Sequence, residues 1–238
     1  MSIAEKLTII AENQERVFEA GKKSQYDEFW DSFQANGNRT LYRNAFAGTG
    51  WGPETLKPKY LVKPSGDSTT YNMFLFCNAS ADSLNSKPID FSLIADKFDF
   101  SQCQTASYTF QNCYIDNIYA DFSNCSSLSN TFNHSYRGTT RNVTIKVSKK
   151  TRFDNTFAYG EATTVSFTED SVIGQNGLSL TRQTNLTHEN LMSIINALYD
   201  YSEDTSGTVW KVTLGSTNLK KLTPDEIAMA EAKGWYLE

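Results

Sequence analysis

Four cysteines, Cys77, Cys103, Cys113 and Cys125, crowd one part of a 238-residue chain, and His134 is the histidine nearest to them. Thiolates and an imidazole at that density suggest zinc. A zinc site, however, needs four converging ligands in closely paired spacing, and no pair here reads C-x-x-C. Disulfides would require an oxidising compartment. The spacing fits better with small buried side chains at recurring positions. The two histidines, His134 and His188, have no motif neighbours, and neither G-x-S-x-G nor H-E-x-x-H occurs. Asp99 and Asp121 form a carboxylate pair of the kind that hydrolyses glycosides. They sit in matching contexts, Asp-Phe-Ser, which points to turns in which Asp accepts backbone N–H groups. The run from Gly48 to Pro53, GTGWGP, lacks the third glycine of a dinucleotide fingerprint and the Lys-Ser/Thr of a P-loop. The expectation is a protein that is not an enzyme, with no cofactor and no metal.

The matching contexts are part of an internal repeat. Asp99-Phe100-Ser101-Gln102-Cys103 recurs 22 positions later as Asp121-Phe122-Ser123-Asn124-Cys125. Tyr108-Thr109-Phe110 recurs as Asn130-Thr131-Phe132 and again as Asn155-Thr156-Phe157. Phe74 to Cys77 resembles an earlier copy of the Phe-x-x-Cys element. Periods in the twenties indicate one strand per turn of a solenoid, each turn burying its face on the next. Strands are expected at Ile118 to Phe122, Val143 to Val147 and Thr163 to Phe167. The repeat core is expected to hold Phe74, Phe110, Phe132, Phe157, Cys103 and Cys125. Tyr114, Tyr119, Tyr136 and Tyr159, in or near repeat turns, are the candidate ligand-contact rings.

Other elements flank the repeats, and together they predict an α+β fold. Residues 1–24 read as an amphipathic helix with a Ser2–Glu5 capping box. Its seam, carried by Ile3, Leu7, Ile10 and Val17, follows coiled-coil spacing and predicts self-association. Residues 25–70 form an aromatic, Gly/Pro-rich elbow. Residues 71–238 form the short repeat solenoid, closed by a helical C-terminal cap over about 171–238. Within the cap, Thr187 starts a helix whose Leu191, Ile194, Ile195 and Leu198 share one face. Thr208 to Leu214 alternates as a strand. Thr223-Pro224-Asp225-Glu226 combines an N-cap, proline at the first helical position and early acids. Lys233 and Gly234 end that helix.

Composition narrows the class. The chain holds 24 serines, 25 threonines and 19 asparagines, yet 13% of its residues are aromatic. That combination predicts an ordered protein with a thin core and a large polar surface. Twenty-two basic against 27 acidic residues give a net charge of −5, which argues against nucleic-acid binding. No stretch approaches the ~18 apolar residues of a membrane-spanning helix. The first 20 residues lack the apolar core of a secretory signal.

The stretches DFSNCSSLSNTF and KVSKKTRFDNTF resemble the BspA-like class of leucine-rich repeats, in the divergent form found in phage and prophage proteins. Residues 185–238 resemble a recurrent ending of such proteins, and residues 2–34 their virion-structural opening. Leucine is largely replaced here by Phe, Ile and Val, the repeats are few, and their length drifts from 22 to 25. The resemblance implies a tail, baseplate or fibre component, assembled in the host cytoplasm into the virion. It also implies a homo-oligomer, by family habit a trimer, whose partners are other virion proteins and a host cell-surface glycan or protein. The alternatives are a purely architectural virion part (head fibre, collar or decoration), a bacterial surface adhesin of the same repeat type, and a glycan-degrading enzyme.

Overall fold

Each Thr-Phe pair follows a residue that turns the backbone the wrong way for most side chains. The computed structural model describes residues 61–64, 73, 89–113, 115–133, 141–159 and 163–238. In it Tyr108, Asn130 and Asn155 have φ of 61°, 56° and 53°. Asparagine tolerates this left-handed region because its short polar side chain bonds locally. Here Asn133 Nδ2 donates to Asn130 Oδ1 at 2.7 Å. The reversal lets the following threonine N–H reach back three residues, from Thr131 to the Leu128 carbonyl (3.0 Å) and from Thr156 to that of Phe153 (3.0 Å). The phenylalanine is thereby aimed inward. Asn130→Ala should cost about 1–2 kcal/mol, the left-handed penalty of an ordinary Cβ, and Asn130→Gly clearly less. Chemical denaturation checks this; equal losses would mean that the Asn130–Asn133 contact, not the backbone, carries the effect.

The turns bring successive segments alongside one another in parallel. β1 (Ile89–Asp90) pairs with β2 (Ile115–Asp116). β3 (Ile118–Asp121), β4 (Arg141–Lys146) and β5 (Thr163–Phe167) form a three-stranded sheet in that order. Ile118 lies opposite Val143, and Val143 opposite Val165. Thr105, Ser127 and Arg152 are bridged in the same parallel sense. Parallel neighbours need the chain to travel back between them; between β1 and β2 the described residues do so through two three-residue 3-10 helices, Phe91–Leu93 and Ala95–Lys97, and a series of turns. Helix and strand are mixed, helices are few, and among the described residues no sheet closes into a barrel.

Side chains follow the register. Phe110 lies 5.6 Å from Phe132 with rings 5° from parallel, and Phe132 lies 5.4 Å from Phe157 at 9°. Phe100 and Phe122 approach to 5.4 Å. Strand alternation buries Ile118 and Ala120, Val143 and Ile145, Val165 and Phe167.

Turns leave carbonyls without a sheet partner, and a buried carbonyl needs a donor. Buried hydroxyls and thiols supply them. Thr156 Oγ1 donates to the Leu128 carbonyl at 2.8 Å, and Thr151 Oγ1 to that of Cys125 at 2.8 Å. Cys125 Sγ donates to the Cys103 carbonyl at 3.2 Å, and Cys103 Sγ to that of Pro64 at 3.5 Å. Thr109, Thr131, Thr151 and Thr156 are all buried. The expectation that Ser and Thr build a polar surface is thus only part of the answer, because a share of them serves the interior.

At the C-terminal side a helix takes the place beside β5. α1 (His188–Ala197) is capped by Thr187 in a reciprocal box with Asn190. Its Ser193 hydroxyl accepts the Phe167 N–H at 3.1 Å, and Asn190 Nδ2 donates to Ser166 Oγ at 2.7 Å. Two helices follow, α2 (Ser216–Leu219), which the sequence pattern did not predict, and α3 (Pro224–Ala232), capped by Thr223 and Glu226. β6 (Trp210–Val212) pairs in parallel with β7 (Trp235–Leu237). The strand expected within Thr208 to Leu214 is thus present as Trp210–Val212, and its partner Trp235–Leu237 is the strand the pattern did not mark. Lys233 also does more than end its own helix: its Nζ donates to the Ile195 and Asn196 carbonyls, both at 3.0 Å, closing the C-terminus of α1. Gly234, at φ 81°, has no room for a Cβ, which would stand 2.9 Å from the Tyr201 carbonyl oxygen.

The expected N-terminal helix with Ile3, Leu7, Ile10 and Val17 lies outside the described residues, as do Phe74, Tyr114, Tyr136 and most of the expected elbow. Within the expected elbow, Val62 bridges Phe98 in parallel, its N–H donating to the Lys97 carbonyl at 2.7 Å.

Candidate functional site

The groups with chemical potential serve the turns. Asp99 Oδ1 accepts the Ser101 N–H at 3.0 Å, and Asp121 Oδ1 that of Ser123 at 2.8 Å. The hydrogen bond from the Ser101 side chain, helped by the Lys63 charge, outweighs partial burial and holds the Asp99 carboxyl below its ordinary value. A glycosidic general acid needs the opposite shift. Cys125 is buried, and loss of hydration, with a smaller contribution from Cys103, pushes its thiol far above the ordinary range. A nucleophilic or metal-ligating cysteine needs the reverse. His188 Nε2 meets Glu226 Oε1 at 2.7 Å and so links the first turns of α1 and α3. Among the described residues no three His, Cys, Asp or Glu side chains converge as metal ligands, and no helix is long and apolar enough to cross a membrane.

The expected core residues Phe110, Phe132, Phe157, Cys103 and Cys125 are all buried. Two candidate contact tyrosines are described, and both are exposed. Tyr119 points out from β3, opposite Thr144 in the register. Tyr159 follows Phe157 by two positions, at a turn where the copy built on Phe110 has Asn112. Asn112 and Tyr159 share the left-handed conformation, with φ of 51° and 62°. The Tyr159 ring is 58% exposed, with the Arg182 guanidinium 5.5 Å from its centroid. Together they edge a cleft of about 250 Å³, whose other walls include Asn155, Ser179 and Thr181.

A second aromatic group joins the C-terminal part to the repeats. Tyr201 stacks on Trp210 at 4.0 Å and 3°. Lys149 Nζ sits 3.5 Å above the Tyr199 ring, a cation–π contact. Trp210 Nε1 donates to Asp204 Oδ2 at 2.6 Å, and Trp235 Nε1 to the Tyr199 carbonyl at 2.7 Å. No local motif marks these residues as neighbours. The only hint in the sequence is the excess of aromatics over what the repeats use.

Fold and surface thus define a mixed helix–strand protein of short parallel sheets, with an aromatic interior and exposed Tyr119 and Tyr159. Comparison with known proteins adds no relative: no family model, curated protein or solved structure matches the chain.

Proposed function

We propose that the chain is a non-enzymatic structural protein of a phage particle. In this reading it is a tail, baseplate or fibre component that displays a divergent leucine-rich-repeat solenoid for attachment to a host surface. The observation that carries the reading is the column Phe110–Phe132–Phe157, one ring per parallel turn. Such a column supports a rigid rung-on-rung body that spends its apolar side chains inward and keeps polar groups and single tyrosines for the outside. The N-terminal seam of Ile3, Leu7, Ile10 and Val17 joins copies, three by the habit of the proteins it resembles. Several weak contacts made together then bind far more tightly than one. Tyr, Ser and Asn suit such contacts, because they combine contact area and hydrogen bonding at low ordering cost.

Antibody labelling of purified particles from the encoding phage or prophage tests the reading. Gold on one feature of the tail or its tip is the expected result. Label on cell envelopes with bare particles would replace it with the adhesin reading.

A further inference from the structure

We propose that the cleft between Tyr159 and Arg182 binds an anionic saccharide, one pyranose ring carrying a carboxylate or phosphate. The proposal rests on the attachment reading and deepens it by naming a site and a ligand class. Three independent features converge there. The first is the tyrosine itself. A left-handed turn that takes Asn112 without strain elsewhere carries at this point an aromatic residue at φ 62°, with its ring 58% exposed. A bulky side chain in that conformation is costly and is held where the surroundings demand it. The second is charge. Among the described residues the Arg182 guanidinium has no ion pair, and no carboxylate lines the cleft. A planar guanidinium matches a carboxylate or phosphate with two parallel hydrogen bonds. The third is the remaining wall, where the Asn155 amide and the Ser179 and Thr181 hydroxyls offer donors and acceptors to vicinal hydroxyl groups.

The ring and the charge divide the work. The apolar face of a pyranose lies on Tyr159 while its acidic group reaches Arg182. At about 250 Å³ the cleft is smaller than the roughly 300–1,000 Å³ of sites for drug-sized ligands, which suits one sugar ring rather than an oligomer. With a chain charge of −5 there is no long-range pull on a polyanion, so recognition is local and each site is weak. A nucleic-acid backbone would need several cations in line, and among the described residues Arg182 is the one cation that lines the cleft.

Saturation-transfer NMR on the full chain tests this with three probes: methyl glucuronide, glucose 6-phosphate and methyl glucoside. Millimolar binding of at least one anionic sugar, stronger than that of methyl glucoside, is expected, and the stronger anion shows whether carboxylate or phosphate is read. Arg182→Gln should weaken the anionic sugar about tenfold, to the level of methyl glucoside, as the loss of a charge-assisted hydrogen bond implies. Tyr159→Asn, which accepts the same backbone turn and keeps the thermal melt, should abolish binding of all three. Tyr119→Ser should change nothing. The site is overturned if no probe binds, if both cleft variants bind like the parent, or if Tyr119→Ser removes binding. Attachment of labelled chain to host cells separates the two ideas. Attachment that survives Tyr159→Asn sinks the cleft and leaves the display reading standing. Normal glucuronide binding by a chain that attaches to no cell sinks the display reading alone.

Discussion

Phe132→Ala should lower the free energy of unfolding by about 3–5 kcal/mol. Phe132 is completely buried between Phe110 at 5.6 Å and Phe157 at 5.4 Å, with the edge of Phe122 at 6.5 Å. Its neighbours are poorly placed to close the hole. The Phe110 N–H is bonded to the Thr131 carbonyl and the Phe132 N–H to that of Thr156, both at 2.9 Å, so each ring is held at the level of its own rung. A site that resists collapse keeps its cavity and falls at the high end of such substitutions. Phe132→Leu should cost clearly less, since most of the volume remains. Combined with Phe110→Ala, the loss should be smaller than the two single losses added, because both remove the same ring–ring contact. Denaturant melts measure all three. A Phe132→Ala protein that melts like the parent would remove the column from the core and the proposed solenoid with it.

What could be read from the sequence was what is local or periodic. The helix starts at Thr187 and Thr223 were legible because a capping threonine stands directly before an apolar face in one and before Pro-Asp-Glu in the other, and both caps form. The strands were legible because alternation and repeat phase agree. Ile118 to Phe122 becomes Ile118–Asp121, and Thr163 to Phe167 keeps its bounds, whereas Val143 to Val147 shifts earlier to Arg141–Lys146. The turn role of Asp99 and Asp121 followed from their periodic placement, and each carboxylate accepts the N–H of the Ser two residues on. Contacts between distant positions without a repeat to relate them were not legible. Nothing in the order of residues places Lys149 over Tyr199 or Arg182 beside Tyr159. Composition also misled in one respect. Thr131, Thr151 and Thr156 look like surface residues by type, but a parallel stack joined by turns creates buried carbonyls, and a hydroxyl is the smallest side chain that satisfies one. The exposed tyrosines fell between these cases. Tyr119, expected in or near a turn, stands on strand β3, whereas the importance of Tyr159 depends on a charge brought to it by the fold.

Trp235→Ala should cost a similar amount, about 3–5 kcal/mol, but its effect should be confined to the C-terminal end. Trp235 is 1% exposed, pairs with Trp210 in the β6–β7 register, and packs 5.8 Å from Trp210 and 6.0 Å from Tyr201. Its Nε1 donor also supplies the Tyr199 carbonyl. Trp235→Phe separates the two contributions: it keeps much of the packing but leaves that carbonyl unpaired, a penalty of about 1–3 kcal/mol. The location matters because β7 is the last strand. The Leu214 and Gly215 N–H groups both donate to the Glu238 carbonyl, and Glu238 N–H to that of Val212, so the end of the chain is sewn to β6 rather than to the repeats. In the proposed solenoid, where each layer would touch only its neighbours, loosening this one raises local opening there first. Hydrogen exchange should therefore accelerate at Leu214, Gly215 and Glu238 in Trp235→Ala, while the amides of Phe110 and Phe132 keep most of their protection. Equal loss of protection at both places would mean that the chain opens as one cooperative unit, and that the C-terminal layer is an integral part of the core rather than a seal on its end.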